Sequence, residues 1–308
     1  MFTILNALYP NNLKKLVFGY NAKERKEFSS WKKMLLYRKK HLVFLKILIT
    51  KFDRQRTPYE GTRKSIRILA NLLIFLSMGN VYCENVGLLI VATGKYIQFV
   101  PPLIKSAKKH FCTNHDVSFF VFTDQELPDM ENVTRVEQMK MGWPYDTMNR
   151  YHVYYKNREL FSDMDYLFAL DADMLFVGDV GDEILEELVA TLHPGFVGKR
   201  GSYETNQRSL AFVRRNEGRY YFAGGFYGGS KEAVLMLFET NILNIDRDLQ
   251  RGIIAVWHDE SHWNRYCIDH PPKVILNPSY CYPESWNLPY PKKLLALDKN
   301  HNEFQTPK

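Results

Sequence analysis

The sequence is poor in cysteine, and none of its four cysteines lies in a CxxC pair. This scarcity excludes a scaffold held together by disulfides and argues against a zinc finger. Extremes of composition are absent as well, because apolar residues make up 45% of the 308 residues and charged residues 24%. Such a composition excludes a disordered chain and is typical of a globular protein. At this length we expect one large domain, or one domain with an appendage.

Long apolar runs are also missing. The run at residues 68–78 falls well short of the roughly 20 residues that a transmembrane helix needs. Basic residues precede it, as in a signal peptide, yet it begins far from the first residue. A second stretch, at residues 41–50, is shorter and is interrupted by Lys46. Three interpretations stay open for these segments: a weak membrane anchor, an amphipathic helix on a membrane surface, or a buried helix.

The net charge of +7 is concentrated near the start of the chain. Residues 1–67 contain 17 Lys and Arg against 4 Asp and Glu, whereas the rest of the chain contains 24 against 30. No zinc-finger, RRM or homeodomain pattern accompanies the basic segment, so we expect no nucleic-acid partner. A basic segment of this kind favours a solvated or membrane-surface role. We therefore predict a basic, membrane-contacting leader over residues 1–80 and a folded domain over residues 81–308.

Apolar strand patterns alternate with helical patterns from Val86 onward. Residues 86–93, 117–123 and 166–170 predict buried strands, and a helical segment to about Phe111 follows the first of them. Residues 182–192 predict another helix, because their spacing is helical and acidic residues fill the first turn. Buried strands separated by helices indicate an α/β fold with a mostly parallel central sheet. Such sheets bind ligands beyond the carboxyl ends of their strands.

Two carboxylates follow the third predicted strand, in the segment FALDADMLF. Asp171 and Asp173 are two residues apart, so that they can converge on one divalent cation through oxygen ligands. A cation there can hold a diphosphate and offset the negative charge that develops on a leaving group. The same pattern occurs in phosphatases whose first aspartate is a nucleophile, and at ordinary strand ends. The pattern alone leaves these three interpretations open.

A second cluster, WHDESHWNRY at residues 257–266, packs His258, Asp259, Glu260 and His262 into five positions. It lacks the zincin arrangement, because Glu260 lies between the two histidines rather than beside the first. The cluster therefore predicts either a site or a solvated start of a helix.

The third segment, RYYFAGGFYGGS at residues 219–230, is rich in glycine. It is not a Walker loop, since no GK[ST] follows, and its spacing does not match a Rossmann fingerprint. Two Gly-Gly pairs among aromatic residues predict either a close approach of the backbone to another group or a bulged strand.

These three segments, in this order and at these separations, resemble glycosyltransferase family 6, which contains the histo-blood-group A and B transferases and the α-1,3-galactosyltransferases. The resemblance runs from about Asn85 to about Phe304 and also includes VATGKYIQF, VSFFVFTDQ, EILEELVATLHPGF, a segment around Trp143 and NPSYCY. It implies a GT-A type nucleotide-sugar-binding fold, a UDP-sugar donor and a divalent metal, usually manganese. It also implies α-1,3 transfer to a β-galactoside with retention of the anomeric configuration.

The resemblance assigns roles to individual residues. Asp171 and Asp173 correspond to the metal-binding carboxylates and so also to the donor site. Glu260 corresponds to the glutamate beneath the reacting sugar, acting as a nucleophile or as a charge that stabilises an oxocarbenium-like state. Other implied donor contacts are Val91, Ala92, Tyr96, Arg150, Ala223, Gly224, Gly225, His258, Asp259 and Lys299, the last in a tail that closes on the diphosphate. Implied acceptor contacts are His193, Trp257 and Glu260.

Donor choice in this family depends on the positions that Ala223, Gly224 and Gly225 occupy. A-type members end this triplet in Gly-Gly and accept GalNAc, whereas galactose-specific members have bulkier residues there. We therefore expect UDP-GalNAc as donor and a galactose-terminated glycan as acceptor, with the Golgi membrane as the location in a eukaryote. UDP-Gal as donor, a GT-A enzyme with another acceptor and a non-catalytic sugar-binding relative remain alternatives. One departure concerns the acceptor, because Pro283 and Glu284 stand where the family usually has an Asp.

Overall fold

The computed structural model describes residues 83–304. The strands are β1 (Asn85–Val91), β2 (Asp116–Thr123), β3 (Val133–Glu137), β4 (Tyr166–Asp171), β5 (Met174–Phe176), β6 (Leu188–Leu192), β7 (Phe222–Ser230), β8 (Val274–Leu276), β9 (Tyr282–Pro283) and β10 (Leu294–Ala296). Seven of them form the central sheet, in the order β3-β2-β1-β4-β7-β6-β8, and the other three form a small sheet, in the order β5-β10-β9.

Helices cover the central sheet. They are α1 (Val100–His110), α2 (Tyr145–Met148), α3 (Arg150–Lys156), α4 (Lys231–Gln250), α5 (His258–Asp269) and α6 (His301–Phe304). The helix predicted after Gly94 is present as a 3-10 turn, Gly94–Phe99, that continues into α1. Helix α1 buries Val100, Leu103, Ile104 and Ala107, which is the spacing of one helical face packed on a core.

The central sheet is mostly parallel, as the sequence predicts. Strand β1 pairs in parallel with β2 and with β4, and β2 pairs in parallel with β3. Strand β7 alone runs against its neighbours in this sheet, β4 and β6. Helices on both faces explain why β1 is apolar throughout: two separate core clusters contain Leu88 and Leu89, which are neighbours in sequence. The α/β, GT-A type fold class is thereby confirmed.

The helix predicted over residues 182–192 is wrong. The structure has a short 3-10 turn, Asp182–Ile184, followed by the strand β6. Residues of β6 pair with β7 on one side and with β8 on the other, for example Ala190 with Tyr227 and with Ile275. Because β6 lies between two strands, its Val-Ala-Thr sequence adopts the extended conformation. This tertiary context overrides the helical spacing of the apolar residues.

Strand β7 contains a bulge at its glycine-rich start. Ala190 of β6 pairs with Tyr227 of β7, whereas Leu192 pairs with Phe222. Two steps along β6 thus correspond to five steps along β7, and the extra residues lie within Ala223-Gly224-Gly225. The pairing with β4 also stops at Phe226, so this triplet leaves both neighbouring strands. The bulged strand that the two Gly-Gly pairs predict is confirmed.

The leader predicted over residues 1–80, with its apolar stretches at residues 41–50 and 68–78, lies outside the described residues. Within residues 83–304, no helix is long and apolar enough to cross a membrane.

A buried histidine, His262, links α5 to α4. Its side chain is 2% exposed, and its Nε2 lies 3.7 Å from Oδ2 of Asp248. Burial lowers the pKa of His262 to about 4, although Asp248 and Glu204 act in the opposite direction. The imidazole is therefore neutral in the fold at neutral pH, while in the unfolded chain it titrates near its ordinary pKa.

We expect His262 to destabilise the fold in acid. Between pH 6.5 and 4 the unfolded chain binds a proton that the fold excludes, so this residue's contribution to the free energy of unfolding falls by about 3 kcal/mol as the pH drops. Chemical unfolding of the wild type and of His262→Gln at several pH values measures the difference. The stability of the wild type relative to the variant should decrease from pH 6.5 to 4, and a pH-independent difference would contradict the expectation.

Candidate active site

A pocket of about 500 Å³ opens at the carboxyl edge of the parallel strands. Val91 at the end of β1 and Asp171 at the end of β4 lie on its floor, side by side in the sheet. The bulge of β7 and the first turn of α5 complete the wall, since Gly224, Gly225 and Glu260 line the same pocket. The pocket therefore occupies the place where parallel sheets bind their ligands.

Arg150 connects three walls of the pocket through one guanidinium group. Its Nη2 lies 2.9 Å from Oδ1 of Asp171, and its Nε lies 3.0 Å from Oδ2 of Asp259. Its Nη1 donates to the carbonyl oxygen of Gly224 at 3.2 Å. Burial opposes the charge, but Asp259 and Asp171 more than compensate and hold the pKa of Arg150 well above its ordinary value. A permanent positive charge is thus fixed between the two carboxylates.

Asp173 and Lys299 form an ion pair at the edge of the pocket. Asp173 is 8% exposed, and burial together with the neighbouring Asp171 raises the pKa of its carboxyl group, whereas Lys299 lowers it. Each carboxylate of the DxD segment therefore faces a basic side chain, Arg150 for Asp171 and Lys299 for Asp173.

Glu260 is held by two hydrogen-bond donors in the first turn of α5. The hydroxyl of Tyr221 donates to its Oε1 at 2.8 Å, and the backbone N–H of Gly224 donates to its Oε2 at 2.8 Å. Burial raises the pKa of Glu260 to about 7, while these two donors lower it and the charge of Asp259 raises it. Its carboxylate thus sits in the pocket with a fixed orientation and a proton affinity tuned toward neutral pH.

Asp259 lies behind Glu260 and is 2% exposed. Burial raises its pKa to about 6 against the opposing effect of Arg150. The two adjacent carboxyl groups on α5 therefore have different partners, a guanidinium for Asp259 and neutral donors for Glu260.

The start of α5 also presents two rings to the pocket. His258 has a φ of +49° and packs edge to face against Trp143, with ring centroids 4.9 Å apart. Trp257 is 48% exposed, and its indole Nε1 donates to Oγ of Ser202 at 2.8 Å. Because the indole is held by its N–H, its ring is displayed at the rim of the pocket, where an aromatic face can pack on a sugar.

The C-terminal part of the described chain packs beside the DxD segment. The backbone N–H of Leu297 donates to the carbonyl of Asp173, and that of Asp298 donates to Oε2 of Glu284. Phe304 then packs on the ring of Tyr96, with centroids 5.1 Å apart. Glu284 stands near the position where the resemblance leads us to expect an acceptor-binding aspartate. Here its carboxylate instead accepts a hydrogen bond from the C-terminal segment.

His193 lies beside Tyr221 and does not line the pocket. Its Nδ1 accepts from the backbone N–H of Gly195 at 3.1 Å, so that Nε2 carries the proton. Its ring lies against Tyr221, with centroids 5.7 Å apart, and burial lowers its pKa. His193 thus reaches Glu260 through Tyr221 rather than directly.

The structure brings most of the predicted site residues to one pocket. Those that line it are Val91, Tyr96, Arg150, Asp171, Asp173, Gly224, Gly225, Trp257, His258, Asp259, Glu260 and Lys299. Three predicted residues do not line it: Ala92 and Ala223, which are buried in a core cluster, and His193. The roles predicted for all of these residues remain predictions.

Several residues of the pocket are missing from the prediction. The segment before α3 contributes Lys140, Trp143, Asp146 and Thr147 to the pocket. In the sequence, only the family resemblance around Trp143 indicates that this segment belongs to the site. Asp146 shapes this segment, because its carboxylate accepts from the backbone N–H groups of Met141 and Gly142. Thr93, Ala172 and Phe304 also line the pocket. Tyr221, which contacts Glu260 without lining the pocket, is missing from the prediction as well, since nothing distinguishes it from the neighbouring aromatic residues in the sequence.

The chemistry of the two DxD side chains fits a divalent cation. Within residues 83–304, no three His, Cys, Asp or Glu side chains gather as a metal-binding group. Asp171 and Asp173 nevertheless offer carboxylate oxygens to the same pocket. Hard cations that bind phosphorylated substrates commonly take one or two carboxylates from the protein, and phosphate and water oxygens complete their coordination.

Comparison with known proteins identifies the class as glycosyltransferases. The family model described as Glycosyltransferase family 6 matches residues 74–306. The chain belongs to glycosyltransferase family 6.

Curated relatives agree with this membership. Histo-blood group ABO system transferase 1 of Rattus norvegicus is 36% identical over 239 residues, which cover 72% of this chain and 68% of the relative. Globoside alpha-1,3-N-acetylgalactosaminyltransferase 1 of Gallus gallus is 30% identical over 243 residues, 72% of this chain and 69% of the relative. Alpha-1,3-galactosyltransferase 2 of Homo sapiens is 29% identical over 224 residues, 64% of this chain and 62% of the relative. The names of the last two relatives give different sugars, N-acetylgalactosamine and galactose.

Proposed function

We propose that this chain transfers GalNAc from UDP-GalNAc to a galactose-terminated glycan, in α-1,3 linkage and with retention of configuration. The observation that carries the proposal is the position of Glu260, which faces the pocket across from Asp171 and is fixed by two hydrogen bonds. A carboxylate in that position can attack the anomeric carbon or stabilise positive charge there. The names of two of the relatives, an ABO transferase and a GalNAc-transferase, support the choice of reaction.

The donor occupies the pocket from β1 to α5 in this proposal. Val91, Ala92 and Tyr96 are assigned to the uridine: Val91 and Tyr96 line the pocket, with the ring of Tyr96 suited to stacking, and Ala92 follows Val91 in the core. Lys299 contacts the diphosphate, and its charge offsets that of the leaving UDP. The sugar is assigned to five residues that line the pocket, Arg150, Gly224, Gly225, His258 and Asp259, and to Ala223, which precedes Gly224 in the core.

Asp171 and Asp173 would hold the cation, with manganese as the expected metal. When bound, the cation supplies positive charge that stabilises the diphosphate leaving group. Arg150 pairs with Asp171 and Lys299 with Asp173, so that each carboxylate is oriented by a basic side chain.

The acceptor enters past the rim formed by Trp257, with His193 and Glu260 as its other contacts. The indole of Trp257 is exposed and anchored, which suits packing against the apolar face of a galactose ring.

Gly225 provides the test of donor choice. A Cβ added there would lie 3.1 Å from Sγ of Cys281 and 3.4 Å from Oδ2 of Asp171, so that a methyl group crowds this wall of the pocket. Overfilling by a methyl group typically costs about 1–3 kcal/mol, and the larger GalNAc should bear more of it than galactose. We expect the wild type to prefer UDP-GalNAc in a mixture with UDP-Gal, and Gly225→Ala to shift the product ratio toward galactose by about tenfold.

Gly181→Ala is the matched control, because its added Cβ would meet only Glu183 at 3.6 Å. The control should keep the wild-type product ratio. Wild-type preference for UDP-Gal would overturn the assignment of GalNAc and favour the galactosyltransferase alternative. Transfer from neither donor, with UDP-Glc also tested, would leave a sugar-binding protein without turnover.

We also propose that the leader over residues 1–80 contacts a membrane and that residues 81–308 form the catalytic domain. The excess of basic residues in the leader supports attraction to an anionic lipid surface. In a eukaryote, the substrates proposed above would place the protein at the Golgi membrane. Sedimentation of the full chain with phosphatidylserine vesicles, compared with a chain that begins at residue 81, tests the contact.

A further inference from the structure

Tyr221 makes a direct contact with the proposed catalytic carboxylate. Its hydroxyl donates to Oε1 of Glu260 at 2.8 Å, and the backbone N–H of Gly224 donates to the other carboxylate oxygen, Oε2. Tyr221 is 2% exposed and does not line the pocket, so its ring is outside the space proposed for the substrates. Its hydroxyl therefore acts on the substrates only through Glu260.

The ring of Tyr221 is held in place from several sides. Phe196 and Tyr203 pack against it edge to face, with centroids 4.9 and 5.1 Å away, and His193 lies at 5.7 Å. The backbone at Gly201 passes so close to the ring that a Cβ there would overlap it. The hydroxyl is thus aimed at Glu260 by packing, which is how a supporting residue fixes the geometry of a site.

We propose that Tyr221 is a positioning residue that holds the Glu260 carboxylate in its reactive orientation and in its ionised form. This inference rests on the proposed role of Glu260 as the catalytic carboxylate. It extends that role to a residue outside the pocket, for which the sequence offers no distinguishing signal.

The charged groups around Glu260 show why the hydroxyl is needed. The pKa of Glu260 is raised to about 7, first by burial and also by the nearby carboxylates of Asp259 and Asp171. Arg150 is paired with both of those aspartates, and the nearby thiol of Cys281 stays neutral because burial raises its pKa. The donors from Gly224 and Tyr221 are what lower the pKa of Glu260. Removing one of them should favour the protonated, non-nucleophilic form.

Tyr221→Phe tests the proposal, and Tyr203→Phe is its matched control. Both tyrosines are buried in the same cluster, but the hydroxyl of Tyr203 donates to the carbonyl of Tyr220 at 2.6 Å. We expect Tyr221→Phe to lower kcat by about 10- to 100-fold with little change in the KM for the UDP-sugar. The acid limb of its kcat/KM profile should move to higher pH, whereas Tyr203→Phe should keep the wild-type profile.

A double-mutant cycle decides whether Tyr221 acts through Glu260. In the Glu260→Gln background, Tyr221→Phe should cause no further loss of turnover, because the carboxylate that the hydroxyl serves is already gone. Equal losses in both backgrounds would overturn the proposal. Substantial transfer by Glu260→Gln alone would instead overturn the catalytic role proposed for Glu260, and transfer by neither the wild type nor any variant would overturn the proposed function, so these failures are distinguishable.

A second variant covers the case in which Tyr221→Phe folds poorly. Replacement of Tyr221 by 3,5-difluorotyrosine keeps the ring and makes its hydroxyl a stronger donor. We expect the acid limb to move to lower pH in that variant, opposite to the effect of Tyr221→Phe. An acid limb that stays at the wild-type position in the fluorinated protein would contradict the proposal.

Discussion

Replacing Glu260 by Gln is expected to abolish sugar transfer while leaving the fold and donor binding intact. Gln has nearly the same shape, and its amide can accept from the N–H of Gly224 and donate to the oxygen of Tyr221. The lost interactions are those of a negative charge with the reacting anomeric carbon, which exist in the transition state rather than in the bound ground state. We expect kcat to fall by about 10³ or more, with the dissociation constant for UDP-GalNAc unchanged.

The same substitution should make the fold more stable above neutral pH. Burial raises the folded-state pKa of Glu260 to about 7, so ionising it in the fold costs free energy that the unfolded chain does not pay. The contribution of Glu260 to stability is present below its ordinary pKa of 4.5 and is lost as the pH rises through 7. At pH 8, the free energy of unfolding of Glu260→Gln should exceed that of the wild type by up to about 3 kcal/mol.

Transfer rates, UDP-GalNAc calorimetry and chemical unfolding at pH 5 and 8 measure these effects. Glu239→Gln, an exposed position on α4, is the matched control and should leave all three unchanged. Loss of donor affinity with surviving turnover would make Glu260 a structural residue and refute its catalytic role.

Replacing Asp173 by Asn is expected to weaken both metal binding and turnover. The amide keeps the shape but loses one of the two negative charges that Asp171 and Asp173 offer to a hard cation. The stabilisation of the diphosphate leaving group should fall by several kcal/mol, which corresponds to a rate loss on the order of 10³. Removal of the metal from the wild type with EDTA should cause a loss of similar size that added Mn²⁺ reverses.

Binding of Mn²⁺ to the protein without donor, measured by electron paramagnetic resonance, provides a readout that does not depend on turnover. The affinity should fall in Asp173→Asn and remain unchanged in Asp179→Asn, whose exposed side chain pairs with His110. Full activity of Asp173→Asn in EDTA would show that catalysis needs neither the charge nor the metal.

The strands and the acidic segments could be predicted because their signals are local. The apolar run before Asp171 predicts both a buried strand and the place where it ends, and β4 ends at that residue. The helix predicted over residues 182–192 failed for the opposite reason, because pairing of Val189 and Ala190 with strands distant in the sequence decides their conformation.

The site residues also divide into those that the local sequence indicates and those that only the tertiary structure reveals. Sequence spacing indicates that Asp171, Asp173 and the WHDES segment carry chemistry, and the structure places them in one pocket. It does not indicate that Arg150 joins Asp171 to Asp259, since these residues are far apart in the chain. Nor does it distinguish Tyr221 from Tyr220, although one is buried against Glu260 and the other is 39% exposed.

The amino-acid sequence by itself determined the α/β class, the carboxylates at the strand end and the Ala-Gly-Gly triplet that bulges from β7. Each of these follows from residue types within a few positions of one another, such as buried apolar runs and residues without a Cβ. Only the tertiary structure decided the partners of those carboxylates, and with them the proton affinity of Glu260. A pKa is set by burial and by the nearest charges and donors in space, and for Glu260 all of these except the adjacent Asp259 come from β4, β7 and the segment before β7.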